Sequence, residues 1–378
     1  MPNRTSLIRR LAALRSSYTG ETDSSVLPAI AEGTSALSSE ERAVVLRALA
    51  HNHAARLLGE NTLDPVPTRI RNHLLPEATS PAQRDLEAAI LFAAGRAHAH
   101  LRQRVPGEAG VFRMVRPQPD KLILHLTPAA LPVLLLELLP RTAEGQFTGV
   151  PGLHAQLHRR HVQLVQNHAP KTSVLIAAVS YRQWLAATAF VQHVTGLPTH
   201  TFCSREAEPR PLCDHETTAL ARHRGEVPPE LAALTSSLLR RQAVCAGTTG
   251  AQATALGDRT VQVRWTGGHS PALAAALFLL HPVMGLPGDQ FLIQPTHHDQ
   301  VHIHIGQHAE DPGLVLDLSR DTTAERRTTG HDHSAAWAIW AAKLAKASGA
   351  GELVGCRPAT PRLAAPPQQQ AAKAGAAS

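Results

Sequence analysis

The chain has 378 residues, of which 43% are hydrophobic and 3% aromatic, and its formal net charge is +7. This length and hydrophobic content exclude a wholly disordered chain and are enough for roughly two or three domains with mainly aliphatic cores. The positive charge favours polyanionic partners such as nucleic acids, although charge alone says nothing about the fold.

No segment of the sequence predicts a membrane span or a secretion signal. The longest apolar run, 126–140, contains Pro132 and Glu137 and is too short to cross a bilayer as a helix. Residues 1–17 carry arginines but no long apolar stretch. The four cysteines form neither a disulfide framework nor a CxxC pair. We therefore expect a cytoplasmic protein without a membrane partner.

Residues 1–108 are predicted to form a helical bundle. Ser38 followed by Glu41 has the spacing of a capping box, which satisfies free backbone N–H groups at a helix start. Ser80 followed by Pro81 is a favourable pair for the start of another helix. In the first helix, Arg9 and Arg10 lie off the apolar stripe, so they are candidate phosphate contacts.

Two later segments, 109–200 and 251–350, have the same order of predicted elements. Each has two alternating strands, an apolar helix, a Gly-x-Pro-Gly turn, three further strands and a Trp-containing helix. This order predicts an α+β fold in which two tandem copies of a ββαβββα module pack around a pseudo-twofold axis. A linker with helices, 201–250, separates the copies. The low-complexity tail, 351–378, is predicted to be disordered.

The βαβββ order inside each module resembles the strand order of the vicinal-oxygen-chelate proteins, which include glyoxalases and extradiol dioxygenases. This resemblance covers strand order alone and assigns no metal ligand in the chain. The triplet His302-Ile303-His304 is similar to the His-hydrophobic-His strand of relaxases, which implies a tyrosine nucleophile. Tyrosine occurs in this chain only as Tyr18 and Tyr181.

A histidine-rich strand, present in the second copy only, is the best candidate for chemistry. On a strand, His302 and His304 point to one face, and the apolar residues between them point to the other. Two such imidazoles can bind one divalent metal such as zinc, with Asp299 or His297 completing the set. The same pattern is also typical of an exposed sheet face in a chain with 23 histidines.

The corresponding place in the first copy is a basic turn. His158, Arg159, Arg160 and His161 follow one another between two predicted strands. Cationic side chains in a turn can contact the phosphates of a nucleic acid. Charge runs of this kind are also typical of a solvated hairpin tip.

Three functions remain open from the sequence. The charge and the basic turn favour a nucleic-acid-associated binding protein whose partner is DNA or RNA. The histidine strand favours instead a metal-dependent hydrolase or oxygenase. The third reading is a scaffold that pairs with another protein or with a second copy of the chain. The sequence has neither a GxxxxGK[ST] phosphate loop nor a GxSxG nucleophile elbow.

Overall fold

The computed structural model describes a defined part of the chain. It consists of residues 4–50, 66–104, 110–143, 146–197, 211–245, 251–256, 259–287, 291–297, 299–305, 313–320 and 333–345. The tail that the sequence predicts to be disordered, 351–378, lies outside it. The described elements mix helices with β-sheets, which confirms the mixed fold class.

Helices dominate the region before the first strand, and others are interspersed among the later strands. The early ones are α1 (Arg4–Thr19), α2 (Asp23–Ala36), α3 (Ser39–Ala50), α4 (Thr68–Leu74) and α5 (Pro81–Arg104). The later ones are α6 (Ala130–Leu138), α7 (Tyr181–Thr195), α8 (Asp214–Glu226), α9 (Pro229–Arg240), α10 (Pro271–Leu280) and α11 (Ser334–Ala345).

The strands fall into two groups along the chain. The first comprises β1 (Phe112–Pro117), β2 (Lys121–Leu126), β3 (Arg141–Ala143), β4 (Gln146–Thr148), β5 (Leu153–Leu157), β6 (His161–Gln166) and β7 (Ala169–Ala177). The second comprises β8 (Ala251–Leu256), β9 (Thr260–Trp265), β10 (Phe291–His297), β11 (Gln300–Ile305) and β12 (Leu314–Arg320).

The strands form two five-stranded sheets and one small hairpin. The order is β1-β2-β7-β6-β5 in the first sheet and β8-β9-β12-β11-β10 in the second, while β3 pairs with β4. Each five-stranded sheet has one parallel pair, β2 with β7 and β9 with β12. A parallel pair requires a crossover connection, and α6 and α10 lie within these two crossovers.

Each sheet has an apolar inner face and an opposite face that we call the outer face. Inner residues such as Leu122, Val174, Ile303 and Leu316 are fully buried in the core. In the first sheet, alternation and register place these residues on the outer face: Met114, Arg116, Lys121, Ile123, His125, His154, Gln156, His161, Gln163, Val165, Ser173, Leu175 and Ala177. In the second sheet they place there Thr254, Leu256, Thr260, Gln262, Arg264, Gln300, His302, His304, Val315, Asp317 and Ser319.

The predicted helix starts are present at two serines. Ser38 Oγ accepts a hydrogen bond from the Glu41 N–H at 3.2 Å, and Glu41 Oε2 accepts one from the Ser38 N–H at 2.8 Å. Ser80 Oγ accepts a hydrogen bond from the Gln83 N–H at 3.2 Å. These bonds satisfy N–H groups that have no partner inside a helix, so α3 and α5 begin where the sequence predicts.

The N-terminal helices are hydrogen-bonded to the regions of both sheets. Arg15 on α1 donates to the Pro117 carbonyl at the end of β1, with an N–O distance of 3.3 Å. The Tyr18 hydroxyl donates to the Leu277 carbonyl on α10 at 2.8 Å. Arg71 on α4 donates to the carbonyls of the turn that follows α10. The described helices α1 and α4 of this region therefore contact the regions of both sheets.

A buried ion pair joins α5 to α9. Glu87 and Arg240 are both fully buried, and two hydrogen bonds of 2.7 and 2.5 Å connect them. Arg240 also donates to the carbonyls of Pro76 at 2.7 Å and Gln118 at 2.9 Å. The Ser236 hydroxyl donates to the same Glu87 carboxylate at 2.6 Å. Each charge is thus surrounded by hydrogen-bond partners, as burial requires.

None of the described helices combines the length and apolar character that crossing a bilayer demands. The apolar helix α6 is nine residues long and contributes most of its side chains to the protein core. Its hydrophobicity therefore reflects burial in the core, where it packs against α5 and α7.

Candidate functional site

The histidine strand forms β11, with its imidazoles on the outer face of the second sheet. Val301 and Ile303 are buried, while His302 and His304 are half-buried. This alternation follows from the two-residue period of a strand, because one face must join the core. In register, His302 lies opposite Asp317 on β12, and His304 lies opposite Val315.

Asp317 forms the centre of a polar row that crosses the second sheet. His302 Nδ1 lies 3.9 Å from Asp317 Oδ1. Gln262 on β9 donates to Asp317 Oδ2 at 2.6 Å, and Gln300 on β11 donates to Oδ1 at 3.1 Å. The Asp317 residue is only 3% exposed. The carboxylate is therefore held in place by two neutral amides, with an imidazole as its neighbour at the surface.

At the positions that correspond to Asp317 and Gln262, the first sheet has apolar residues. Gln163 on β6 pairs with Leu175 on β7, which in turn pairs with Ile123 on β2. Those positions correspond to His302, Asp317 and Gln262 in the order of strands. Because the same strand order forms without the carboxylate, the sheet does not need a buried charge there. Burying one costs free energy, which marks the row as a candidate site.

Asp299, one of the predicted metal ligands, is engaged by an arginine. Arg320 at the end of β12 donates to Asp299 Oδ1 through Nη2 at 2.8 Å and Nε at 3.2 Å. In the part of the chain that the structure describes, no three His, Cys, Asp or Glu side chains form a metal-binding group. The side chain of His297 is outside that part. The set of His302, His304, Asp299 and His297 therefore stays a prediction.

Sequence reasoning missed Asp317. The segment Leu314–Ser319 reads as an apolar strand, and its single aspartate lies fifteen positions after His302. One signal was available, since an aspartate inside an otherwise apolar strand is uncommon. Pairing it with His302, however, requires the register between β11 and β12, which the sequence does not specify.

The basic turn of the first sheet is the tip of the β5–β6 hairpin. Arg159 and Arg160 are exposed. The rings of His158 and His161 stack with their centroids 4.5 Å apart and their planes 14° from parallel. Burial, and then the neighbouring His158, lower the pKa of His161. The tip therefore combines two exposed cations with a pair of stacked imidazoles.

The outer face of the first sheet carries cations on its strands, and the carboxylate of Glu21 from the α1–α2 turn lies 3.9 Å from one of them, Arg116. Arg116 and Lys121 lie on β1 and β2. None of the described residues that register places on this face is aspartate or glutamate. Burial, then the positive charges of Arg113 and Arg116, lower the pKa of His125, and Glu21 opposes them.

The arginines predicted on the first helix have different environments. Arg9 is exposed on α1. Arg10 donates a hydrogen bond to the Leu49 carbonyl near the end of α3, where helix carbonyls have no intrahelical partner. Arg10 therefore has a structural contact, and Arg9 stays a predicted phosphate contact.

Comparison of the chain with family models, with curated proteins and with solved structures returned no match. Function is therefore inferred from the geometry of the two outer faces. They differ in chemistry: the first is basic, and the second has a buried carboxylate beside an imidazole.

Proposed function

We propose that this protein associates with nucleic acid through the outer face of the first sheet. The observation that carries the proposal is the charge of that face, where the described strand residues include cations but no aspartate or glutamate. Glu21, from the turn between α1 and α2, lies 3.9 Å from Arg116 and is also paired with Arg15, so the proposal depends on Lys121 and the tip arginines. The exposed Arg159 and Arg160 extend the same positive surface at the hairpin tip. The negative phosphates of DNA or RNA are the polyanions that such a surface attracts.

The expected strength of this association depends on salt. Lys121, Arg159 and Arg160 are three cations that can each neutralise one phosphate and release its counterion, whereas Arg116 already lies beside the Glu21 carboxylate. Three contacts predict that the logarithm of the binding constant falls with the logarithm of salt concentration with a slope of about −2 to −3. Contacts to phosphate alone carry no base sequence information, so we expect binding that depends little on sequence.

Replacing both tip arginines, Arg159→Ala with Arg160→Ala, is expected to reduce the magnitude of this slope by about 2, because each removes one phosphate contact. The measurement is fluorescence anisotropy of labelled DNA and RNA over a salt series. Arg264→Ala is the matched control, since Arg264 is an exposed arginine on the outer face of the second sheet. An unchanged slope in the double variant, or an equal loss in the control, contradicts the proposal.

The same strand order in both sheets supports the predicted duplication. We propose that 109–200 and 251–350 are two copies of one ββαβββα module, related by a pseudo-twofold axis. The support is that each sheet has one parallel pair, formed by its second and last strands in chain order. The Asp317 row would then be a difference that arose between the copies after the duplication.

A second candidate function, a metal-dependent hydrolase or oxygenase, is favoured by the position of Asp317. A buried carboxylate 3.9 Å from His302 can serve as a ligand beside the imidazole, or it can orient the imidazole toward a metal. Zinc accepts both donor types. We propose that any metal is held at His302 and Asp317, with His304 or His297 as further ligands. A scaffold role and a cytoplasmic location stay predictions.

The metal proposal predicts about one divalent ion per chain, measured by elemental analysis of protein purified without chelators. We expect His302→Ala and Asp317→Asn to lose the ion. Asp299→Asn is expected to keep it, because Arg320 already engages that carboxylate. Metal-free wild-type protein, even after incubation with zinc, refutes this site. If Asp299→Asn loses the metal ion while Asp317→Asn keeps it, the ligand set predicted from the sequence is favoured instead.

A further inference from the structure

Two imidazoles flank a small residue on the outer face of the first sheet. His161 on β6 lies opposite Ala177 on β7. His125 on β2 follows Leu124, which lies opposite Ile176 on β7, so His125 reaches Ala177 from the other side. Two strand spacings put the histidine backbones about 10 Å apart. We call His125, Ala177 and His161 the imidazole row.

The imidazole row lies at the end of the sheet that carries the hairpin tip. Ala177 precedes the loop that leads into α7, and the Val179 N–H donates to the Arg160 carbonyl at 3.2 Å. This bond holds the tip against the sheet. Some proteins insert a free two-stranded β-ribbon into the major groove of a duplex, which is a groove about 8.5 Å deep. The tip of this hairpin is not free in that way. The sheet presents a broad surface to a ligand.

The centre of this surface is apolar and its margins are cationic. Ile123 and Leu175 lie side by side in the middle of the outer face and are half-buried. On β1, Arg116 lies beside Ile123 but is also 3.9 Å from the Glu21 carboxylate, so Lys121 on β2 is the cation of this margin. The tip arginines lie on the side of β5 and β6. A nucleic-acid strand that places its phosphates over the margins and its uncharged bases over the middle would match this distribution of charge.

The imidazoles themselves are disposed to be uncharged near neutral pH. Burial is the largest cause that lowers the pKa of both His125 and His161, and neighbouring cations or imidazole add to it. A neutral imidazole offers an aromatic face to a base, as it does in proteins that bind single-stranded RNA. At His161 that face is the one opposite the stacked ring of His158. The contribution of the imidazoles to the binding free energy would then require bases in the ligand and would depend only weakly on salt concentration.

We infer that the outer face of the first sheet binds single-stranded nucleic acid, with bases stacked on His125 and His161. Phosphates lie along Arg159, Arg160 and Lys121. This inference rests on the proposed nucleic-acid association and narrows it to one class of ligand. A duplex hides the faces of its bases inside the stack, so it can reach only the cations.

The test compares oligonucleotides of about 12 nucleotides, a length within the site sizes of single-strand binding sheets. The probes are single-stranded DNA, the same sequence as RNA, the DNA duplex, and an abasic strand that keeps the phosphates. Anisotropy is expected to show that the two base-bearing single strands bind about tenfold more tightly than the abasic strand, since stacking on aromatic rings supplies that difference.

Paired variants separate stacking from charge. His125→Ala with His161→Ala is expected to weaken single-strand binding about tenfold and to leave abasic binding unchanged. His125→Phe with His161→Phe should keep the affinity, because it preserves aromatic faces. His193→Ala with His269→Ala is the matched control, since both histidines are exposed and lie outside the first sheet, and it should leave binding of every probe unchanged. Circular dichroism and the unfolding midpoint confirm that each variant is folded.

The possible results separate base stacking from the nucleic-acid association on which it rests. Duplex or abasic binding as tight as single-strand binding overturns the stacking model and leaves nucleic-acid association in place. The model is also overturned when the folded alanine variant binds single strands like the wild type, or when phenylalanine is as damaging as alanine. Absence of binding to every probe at low salt overturns both. Different affinities for DNA and RNA identify which single strand the face prefers.

Discussion

Replacing Arg240 with methionine is expected to lower the free energy of unfolding by about 3–5 kcal/mol. The guanidinium is fully buried and bonded to Glu87 and to the carbonyls of Pro76 and Gln118. Methionine fills similar space, so the loss comes from the Glu87 charge, which remains buried without its counter-ion. Urea denaturation followed by circular dichroism measures the change.

A double variant and the disruption of an exposed ion pair serve as the comparisons for Arg240→Met. Arg240→Met with Glu87→Leu removes both charges, and we expect it to recover most of the lost stability, because no unpaired charge remains. Arg69→Ala breaks an ion pair with Glu41 in which Arg69 is 70% exposed. We expect that change to cost no more than about 1 kcal/mol. A loss for Arg240→Met as small as that for Arg69→Ala shows that the buried pair contributes little.

Replacing Trp184 with alanine is expected to cost about 3–5 kcal/mol, because it leaves a cavity in the core. Trp184 lies on the first turns of α7 and is fully buried. Its indole Nε1–H has no hydrogen-bond partner among the described residues. The measurement is again the free energy of unfolding in urea.

Replacing Trp184 with phenylalanine tests whether the buried indole N–H lacks a hydrogen-bond partner. Trp184→Phe keeps an aromatic ring and removes the unpartnered N–H, whose burial costs about 1–3 kcal/mol. The gain from removing that donor offsets part of the lost volume, so we expect Trp184→Phe to be much less damaging than Trp184→Ala. Equal losses in the two variants mean that the indole N–H has a partner in solution, such as an ordered water.

Local signals in the sequence were sufficient for several elements. The capping residues Ser38 and Ser80 located two helix starts, because a cap depends on residues three positions apart. The outward direction of His302 and His304 followed from strand alternation. In each case the determining interaction lies within a few residues along the chain.

The sequence was a poor guide wherever two distant segments meet. Asp317 reaches His302 only because β11 and β12 pair in one register. Asp299 is engaged by Arg320, which follows from where β12 ends. Arg15 and Arg240 are buried although arginine is usually exposed. Their partners, carboxylates and backbone carbonyls, become visible only when the helices are packed together.

The bonds between the N-terminal helices and the turn after α10 impose an order on folding during synthesis. Arg71 is translated 215 positions before Leu286, whose carbonyl it contacts. At about 5–20 residues per second, the ribosome needs roughly 10–40 s to supply that partner. Until then the nascent helices expose side chains that are buried in the finished protein. We therefore expect the last folding step to await the second sheet, with chaperones protecting the emerging N-terminal region.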